Sequence, residues 1–300
     1  MSVKDVYLKT MKFVWLKLAM GCALILYALI TFAITWGLMK LIPTPILLYV
    51  WVIQACCVTV WVSRYVGYML KAGHVAIVST AVTSGEVPAD YVKVGKDMVA
   101  KRFLTSNVYF AVDGLVSGAV SQLQKGLQKV DNLFGEIPGV STVISFLQLF
   151  VSIALGYVDE CCLGYTFLHP EQSAFKSAAD GVVIYFQNWK TLLKDAAVTT
   201  LIVMVVTFVA WVVPFVVLLA ILGVFEINAT IAILLAILCA YTIKYAFVDS
   251  YMMVKMMVSY MQVAPTTEIT FDLYNKLCGL SAKFKSLFQK GQAEQTGVAA

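Results

Sequence analysis

Four stretches of the chain, residues 18–39, 46–70, 140–167 and 196–225, are apolar over at least the roughly 20 residues an α-helix needs to cross about 30 Å of hydrocarbon. Runs of this length exclude the alternating patterns of half-exposed helices and strands, and leave helices that are apolar on every side. Such helices lie either in the core of a large protein or in lipid. Composition favours lipid: 61% of the 300 residues are hydrophobic and 13% charged, with a mean hydropathy of +0.85. Soluble domains carry about 25% charge. A fifth stretch, 229–263, opens on fifteen uncharged residues and then carries Lys244, Asp249 and Lys255. A sixth, 103–123, is mixed in character, with Asp113 about halfway along and apolar residues at the spacing of one helical face.

Basic residues decide how 103–123 is read. If it crosses, six spans result and sixteen Lys and Arg fall on the side of both termini against three on the other; if it does not, the split is eleven against eight. Strong asymmetry is the mark of cytoplasmic loops. The expected fold is therefore an all-α, polytopic bundle of six transmembrane helices in a plasma or inner membrane, with both termini cytoplasmic. Residues 1–265 are expected to form one transmembrane domain and 266–300 a basic cytoplasmic tail. Lys4, Lys9, Lys12 and Lys17 precede the first run without a small-residue cleavage pattern, which predicts a retained first helix.

In this topology the run 140–167 enters from outside, and at 1.5 Å per residue it has crossed about 30 Å by residue 159. Asp159 and Glu160 are thus expected at the inner interface. The same count puts Arg64 and Lys244 slightly deeper, where long cationic side chains snorkel or pair with acids.

Each pair of spans is followed by a polar turn and an amphipathic segment: EVPADYVKVGKDMVAKRF from Glu86, SAFKSAADGVVIYFQNWKTLLKDA from Ser173, and TTEITFDLYNKLCGLSAKFKSLFQK from Thr266. Three helical-hairpin repeats with cytoplasmic amphipathic helices are therefore expected. In the last segment Leu273, Leu277, Leu280, Phe284 and Leu287 share one helical face. Lys276, Lys283, Lys285 and Lys290 follow it as candidate contacts for anionic headgroups.

Asp113 is the candidate ion or proton site, since a carboxylate near a membrane midplane costs roughly 2.5–3.5 kcal/mol unless protonated, paired or wet. The simpler reading is a protein-facing helix whose Asp bonds a neighbour. Gly114 and Gly118 give the GxxxG spacing of a close helix contact. Met253, Met257 and Met261 align on one face and are read as adaptable packing rather than a copper path. The seven cysteines are read as small hydrophobes, and neither they nor His74 and His169 show metal-ligand spacing, so no metal or cofactor is expected. No phosphate loop, dinucleotide fingerprint or nucleophile elbow is present, which argues against an enzyme. Basic residues near aromatics in the tail are read as meeting lipid rather than nucleic acid.

YFQNWKTLLKDAA from Tyr185 and KYAFVDSYMMVKMMVSYM from Lys244 resemble the C-terminal half of choline transporter-like proteins, where an amphipathic stretch leads into two spans and the last span ends in a Val-Asp pair, here Val248 and Asp249. The resemblance implies movement of choline or a related organic cation. The chain departs from that family in being shorter and in lacking a large cysteine-containing outer loop. Two functions follow as expectations. One is a small-solute transporter or channel component with Asp113 in the pathway and Arg64, Asp159, Glu160, Lys244 and Asp249 at an inner mouth. The other is a noncatalytic membrane scaffold that binds anionic lipid or protein partners.

Overall fold

The computed structural model describes residues 1–42, 44–103, 111–119, 121–122, 156–224 and 229–295; among these the regular elements are all helices. They are α1 (Val3–Lys9), α2 (Met11–Leu41), α3 (Ile46–Ser84), α4 (Tyr91–Arg102), α5 (111–119), α6 (Val158–Leu168) and α7 (Ala174–Gln187), followed by α8 (Trp189–Val224), α9 (229–263), α10 (Phe271–Leu280) and α11 (Ala282–Gln295). α3 and α9 each contain one π-helical turn, at Ser63–Gly67 and Lys244–Val248. Among the described residues, two helices, α2 and α3, are long and apolar enough to cross a membrane. Much of 103–123, the part of 140–167 before residue 156, and residues 225–228 lie outside the described residues.

The chain divides into two compact units. One comprises Met1–Thr10, Ala72–Ile202 and Tyr251–Ala300, the other Met11–Lys71 and Val203–Ser250. α3, α8 and α9 each contribute to both. We call the first the packed unit and the second the apolar unit.

The packed unit has its large side chains inside. Tyr185, Tyr260, Phe284, Ile77 and Leu163 are each under 2% exposed, and a fully buried Leu, Ile or Phe contributes about 1.5–3 kcal/mol. Glycines set the helix crossings. A Cβ on Gly95 of α4 would lie 2.7 Å from the Gly73 carbonyl oxygen, and one on Gly181 of α7 would lie 3.0 Å from Cα of Cys162. The Met253, Met257 and Met261 stripe is buried here, with the Cε atoms of Met257 and Met261 turned to Gly164 of α6. That arrangement matches the packing reading.

The apolar unit has the opposite partition. All but four of the exposed large apolar side chains among the described residues belong to it; the four are Leu8, Trp189, Tyr251 and Leu280. Trp36, Tyr49, Ile53, Trp61 and Phe208 are each more than half exposed. Small residues mark where its helices meet: Ala28, Ala236, Ala240 and Thr242 are buried, and a Cβ on Gly21 of α2 would lie 2.2 Å from Thr242 Cγ2 of α9. Close approach through small residues is how helices associate when apolar burial no longer distinguishes partner from solvent. α2 and α3 run as an antiparallel hairpin. Trp51 Nε1 donates to Thr31 Oγ1 at 3.1 Å, and the Tyr27 hydroxyl donates to Gln54.

One expected surface is placed differently. The apolar face of the C-terminal segment is spent on protein, not lipid: Leu277, Phe284 and Leu287 are at most 3% exposed, and the segment breaks at Ser281 into α10 and α11. Leu280 alone of that face stands out, at 66% exposed. Residues 158–168, of which 161–167 are expected as a cytoplasmic extension, form a helix after a turn at 156–157, with Val158, Cys161, Cys162 and Leu163 fully buried in protein.

Candidate functional site: a cationic cavity in the apolar unit

A cavity of about 500 Å³ lies within the apolar unit between α2, α3 and α9. Its α3 wall includes Thr59, Ser63, Gly67 and Lys71, every fourth residue, together with Val60, Arg64 and Tyr68. On a regular α-helix an i, i+4 series drifts by roughly 40° per step and would leave one face within three steps. The wider π turn at Ser63–Gly67 offsets that drift and holds the series in line. α9 supplies Leu238, Tyr241, Thr242 and Tyr245, the last inside its own π turn, and α2 supplies Met20, Gly21, Leu24 and Ile25.

The two π turns meet beside the cavity. The Tyr245 hydroxyl donates to the Gly67 carbonyl at 3.2 Å, and a Cβ on Gly67 would lie 3.2 Å from that hydroxyl. Lys17 is 3% exposed; its Nζ donates to Ser250 Oγ at 2.8 Å and lies 5.6 Å from the Tyr245 ring centroid. Arg64, Tyr68 and Lys71 line the cavity together with the apolar Leu24, Ile25, Val60 and Leu238. Among the described residues lining it there is no carboxylate. Val60 and Tyr241 are 63% and 55% exposed, so the wall opens onto the apolar exterior.

The six pathway candidates divide between the units. Arg64 lines the cavity, while Lys244 and Asp249 form an ion pair of 2.7 Å across the second π turn. Asp113, Asp159 and Glu160 belong to the packed unit. Asp159 and Glu160 occupy the first turn of α6, where carboxylates are favoured by the helix dipole. Asp113 is 5% exposed in α5, a helix joined to the C-terminal segment: Gln122 Oε1 accepts from Ser281 Oγ at 2.7 Å and from Lys283 N at 3.2 Å, and a Cβ on Gly118 would lie 3.2 Å from Lys283 Cγ. Among the described residues Gly114 is exposed and has no neighbour within 4 Å of its Cβ direction. Lys276, Lys283, Lys285 and Lys290 are exposed.

The packed unit holds two polar nodes that sequence spacing did not reveal. Asp180, 2% exposed, accepts from Lys176 one turn away and from the Tyr274 hydroxyl of α10. Burial raises its pKa, and the hydrogen bond and charge of Lys176 oppose that rise. In the second node Arg102 of α4 donates to the Gln172 carbonyl at 2.8 Å and to Ser177 Oγ at 3.0 Å. Burial lowers the Arg102 pKa. His169 Nδ1 lies 3.0 Å from Glu171, whose pKa is lowered by its own backbone N–H and by His169. His74 is buried and holds Thr10 Oγ1 at 2.9 Å. Each node ties neighbouring helices together, and among the described residues no group of His, Cys, Asp and Glu could hold a metal ion.

Lys71 and the tyrosines at 68, 241 and 245 are the site residues that sequence reading passed over. Their signal was present: basic and aromatic residues clustered where two apolar runs turn polar. Compared with known proteins, the chain matches no family model, no curated protein and no solved structure, so its likeness to choline transporter-like proteins rests on the quoted residues alone.

Proposed function

We propose that this is an integral membrane protein acting as a membrane-anchored helical scaffold. Its apolar unit is held in lipid, and its packed unit offers a rigid body with exposed lysines to an anionic membrane surface or a protein partner. The observation that carries this reading is the segregation of exposed apolar side chains into one unit while the other closes a core. Exposed apolar surface on this scale is tolerated in lipid and not in water. Both termini, in this reading, lie on the cytoplasmic side, on the clustering of the basic residues.

A solute pathway is the second reading, favoured by the cavity at Arg64. Reconstitution into liposomes with a panel of cations and amines tests the proposal. The scaffold reading expects background flux from the wild type and from Asp113→Asn alike. Flux above background that is lost in Asp113→Asn or Arg64→Gln would refute it. Removing 266–290 would not isolate surface binding, since Tyr274, Ser281 and Phe284 belong to the core of the packed unit. Reversing Lys276, Lys283, Lys285 and Lys290 to Glu is the cleaner variant. It should weaken binding of the detergent-solubilised protein to anionic vesicles and leave folding intact.

A further inference from the structure

We propose that two copies of this chain pair in the membrane through the face of α3 that carries Gln54, each amide hydrogen-bonding the other across a two-fold axis. Gln54 lies deep in the apolar unit, roughly 12 Å along the helix from the start of α3 at Ile46 and roughly 15 Å from Arg64. Within the chain only one end of its amide is used. The Tyr27 hydroxyl donates to Gln54 Oε1, and among the described residues no hydrogen bond engages Nε2. The side chain is half-buried, so the unused end is not sealed inside the protein. Hydrocarbon offers its two N–H groups no acceptor, and the neighbouring α3 carbonyls are engaged in the helix's own ladder. A partner at the same depth is what such a group lacks.

The surrounding face fits a second helix. Val50, Gln54 and Cys57 recur at spacings of four and three, the seam of a helix pair, and Val50 and Cys57 are exposed. Trp51, on the other side of Gln54, turns to α2 and donates to Thr31 Oγ1. Gln54 thus stands at the border between the α2 contact and the open face. A second copy is the occupant the amide itself selects. It carries donors and an acceptor, and Oε1 keeps a lone pair after accepting from Tyr27, so a two-fold axis along the membrane normal lets each Nε2 donate to the other Oε1. A single polar residue at such a seam position also fixes register, which sets Cys57 opposite the partner's Cys57. Helices in membranes cross at about 20–40°, so the copies part within two turns of Gln54 and leave Trp61 open to lipid.

The inference rests on the membrane reading and can fail while that reading stands. The full chain is reconstituted in phosphatidylcholine liposomes over a range of protein-to-lipid ratios, and association is read by energy transfer between donor- and acceptor-labelled copies. Oxidation with iodine then reports which cysteines meet. The expected result is a dimer with a disulfide-linked band that Cys57→Ala abolishes. Cys22→Ala and Cys56→Ala should keep that band, Cys56 lying on the opposite side of α3 from Gln54. Gln54→Leu should weaken dimerisation about thirtyfold, which is about 2 kcal/mol over the two hydrogen bonds. Tyr27→Phe removes only the contact within the chain and should leave the dimer at least as tight, which separates loss of pairing from damage to the α2–α3 hairpin. A monomer at every ratio, a dimer indifferent to Gln54→Leu, equal weakening in Tyr27→Phe, or a cross-link that persists in Cys57→Ala would each overturn the assignment. A chain that stays in solution without lipid or detergent would instead refute the membrane reading itself.

Discussion

Gly21→Ala probes the crossing on which the apolar unit depends. The new Cβ would lie 2.2 Å from Thr242 Cγ2, 2.8 Å from its Oγ1 and 3.0 Å from its Cβ, and Thr242 is 7% exposed. Ordinary contact needs about 3.4 Å or more, so α2 and α9 must part by roughly 1 Å or Thr242 must leave its rotamer. Overpacking of this kind costs about 1–3 kcal/mol, whereas replacing a mid-helix Gly by Ala returns about 1 kcal/mol. The net expectation is a loss of about 1 kcal/mol. Thr242→Ala removes the two closest atoms and leaves only the approach between β-carbons, which a shift of a few tenths of an ångström relieves. In that background Gly21→Ala should become stabilising by up to about 1 kcal/mol, a coupling of about 2 kcal/mol. Unfolding of the four proteins in mixed micelles by titration with denaturing detergent measures the cycle. Additive effects, with no change of sign, would show that these two positions do not meet.

Other consequences are as direct. Asp180→Ala leaves Lys176 and the Tyr274 hydroxyl without their buried acceptor and should cost about 3 kcal/mol in thermal unfolding, whereas Asp180→Asn, which keeps an acceptor oxygen, should cost less. Gly95→Ala meets a backbone carbonyl at 2.7 Å and should destabilise more than Gly164→Ala, which meets Ser79 Oγ and the mobile ends of Met257 and Met261. Equal melting temperatures for those two variants would contradict the packing described. Burial, helped by Asp180 and Glu171, pushes the Tyr165 hydroxyl from 10.0 up to about 12. The folded state therefore holds this proton more firmly than the unfolded state, and the stability involved is full below pH 10 and lost as pH rises through 12. Tyr165→Phe should flatten that loss; an unchanged alkaline melting profile would count against the buried placement.

The sequence made the long apolar helices legible through the length of its apolar runs, because the length of such a run is a local property. α2 and the first part of α3 fall where residues 18–39 and 46–70 put them. α4, α7 and α10 fall within the three segments read as amphipathic, from Glu86, Ser173 and Thr266. What periodicity could not tell is which medium an amphipathic face meets. Leu277, Phe284 and Leu287 have the spacing of a lipid-surface helix, and the same spacing serves a protein core, which is where they lie. Nor could it find the π turns, since an inserted residue leaves no mark on composition. Without them Lys71 reads as one more charge of a loop, and its alignment with Arg64 is invisible. The Lys176, Asp180 and Tyr274 node depends on contacts across nearly a hundred residues and had no local signature.

The central claim is that lipid, not water, covers the outer face of the apolar unit. Labelling of the reconstituted protein with a carbene probe dissolved in the bilayer, set against hydroxyl-radical oxidation from the aqueous phase, reads this residue by residue by mass spectrometry. The account expects carbene adducts on Trp36, Tyr49, Trp61 and Phe208, all exposed, with little oxidation there, and oxidation at the exposed Leu280 of the packed unit. Strong aqueous oxidation of Trp36, Tyr49 and Trp61 in the membrane-reconstituted protein would contradict it.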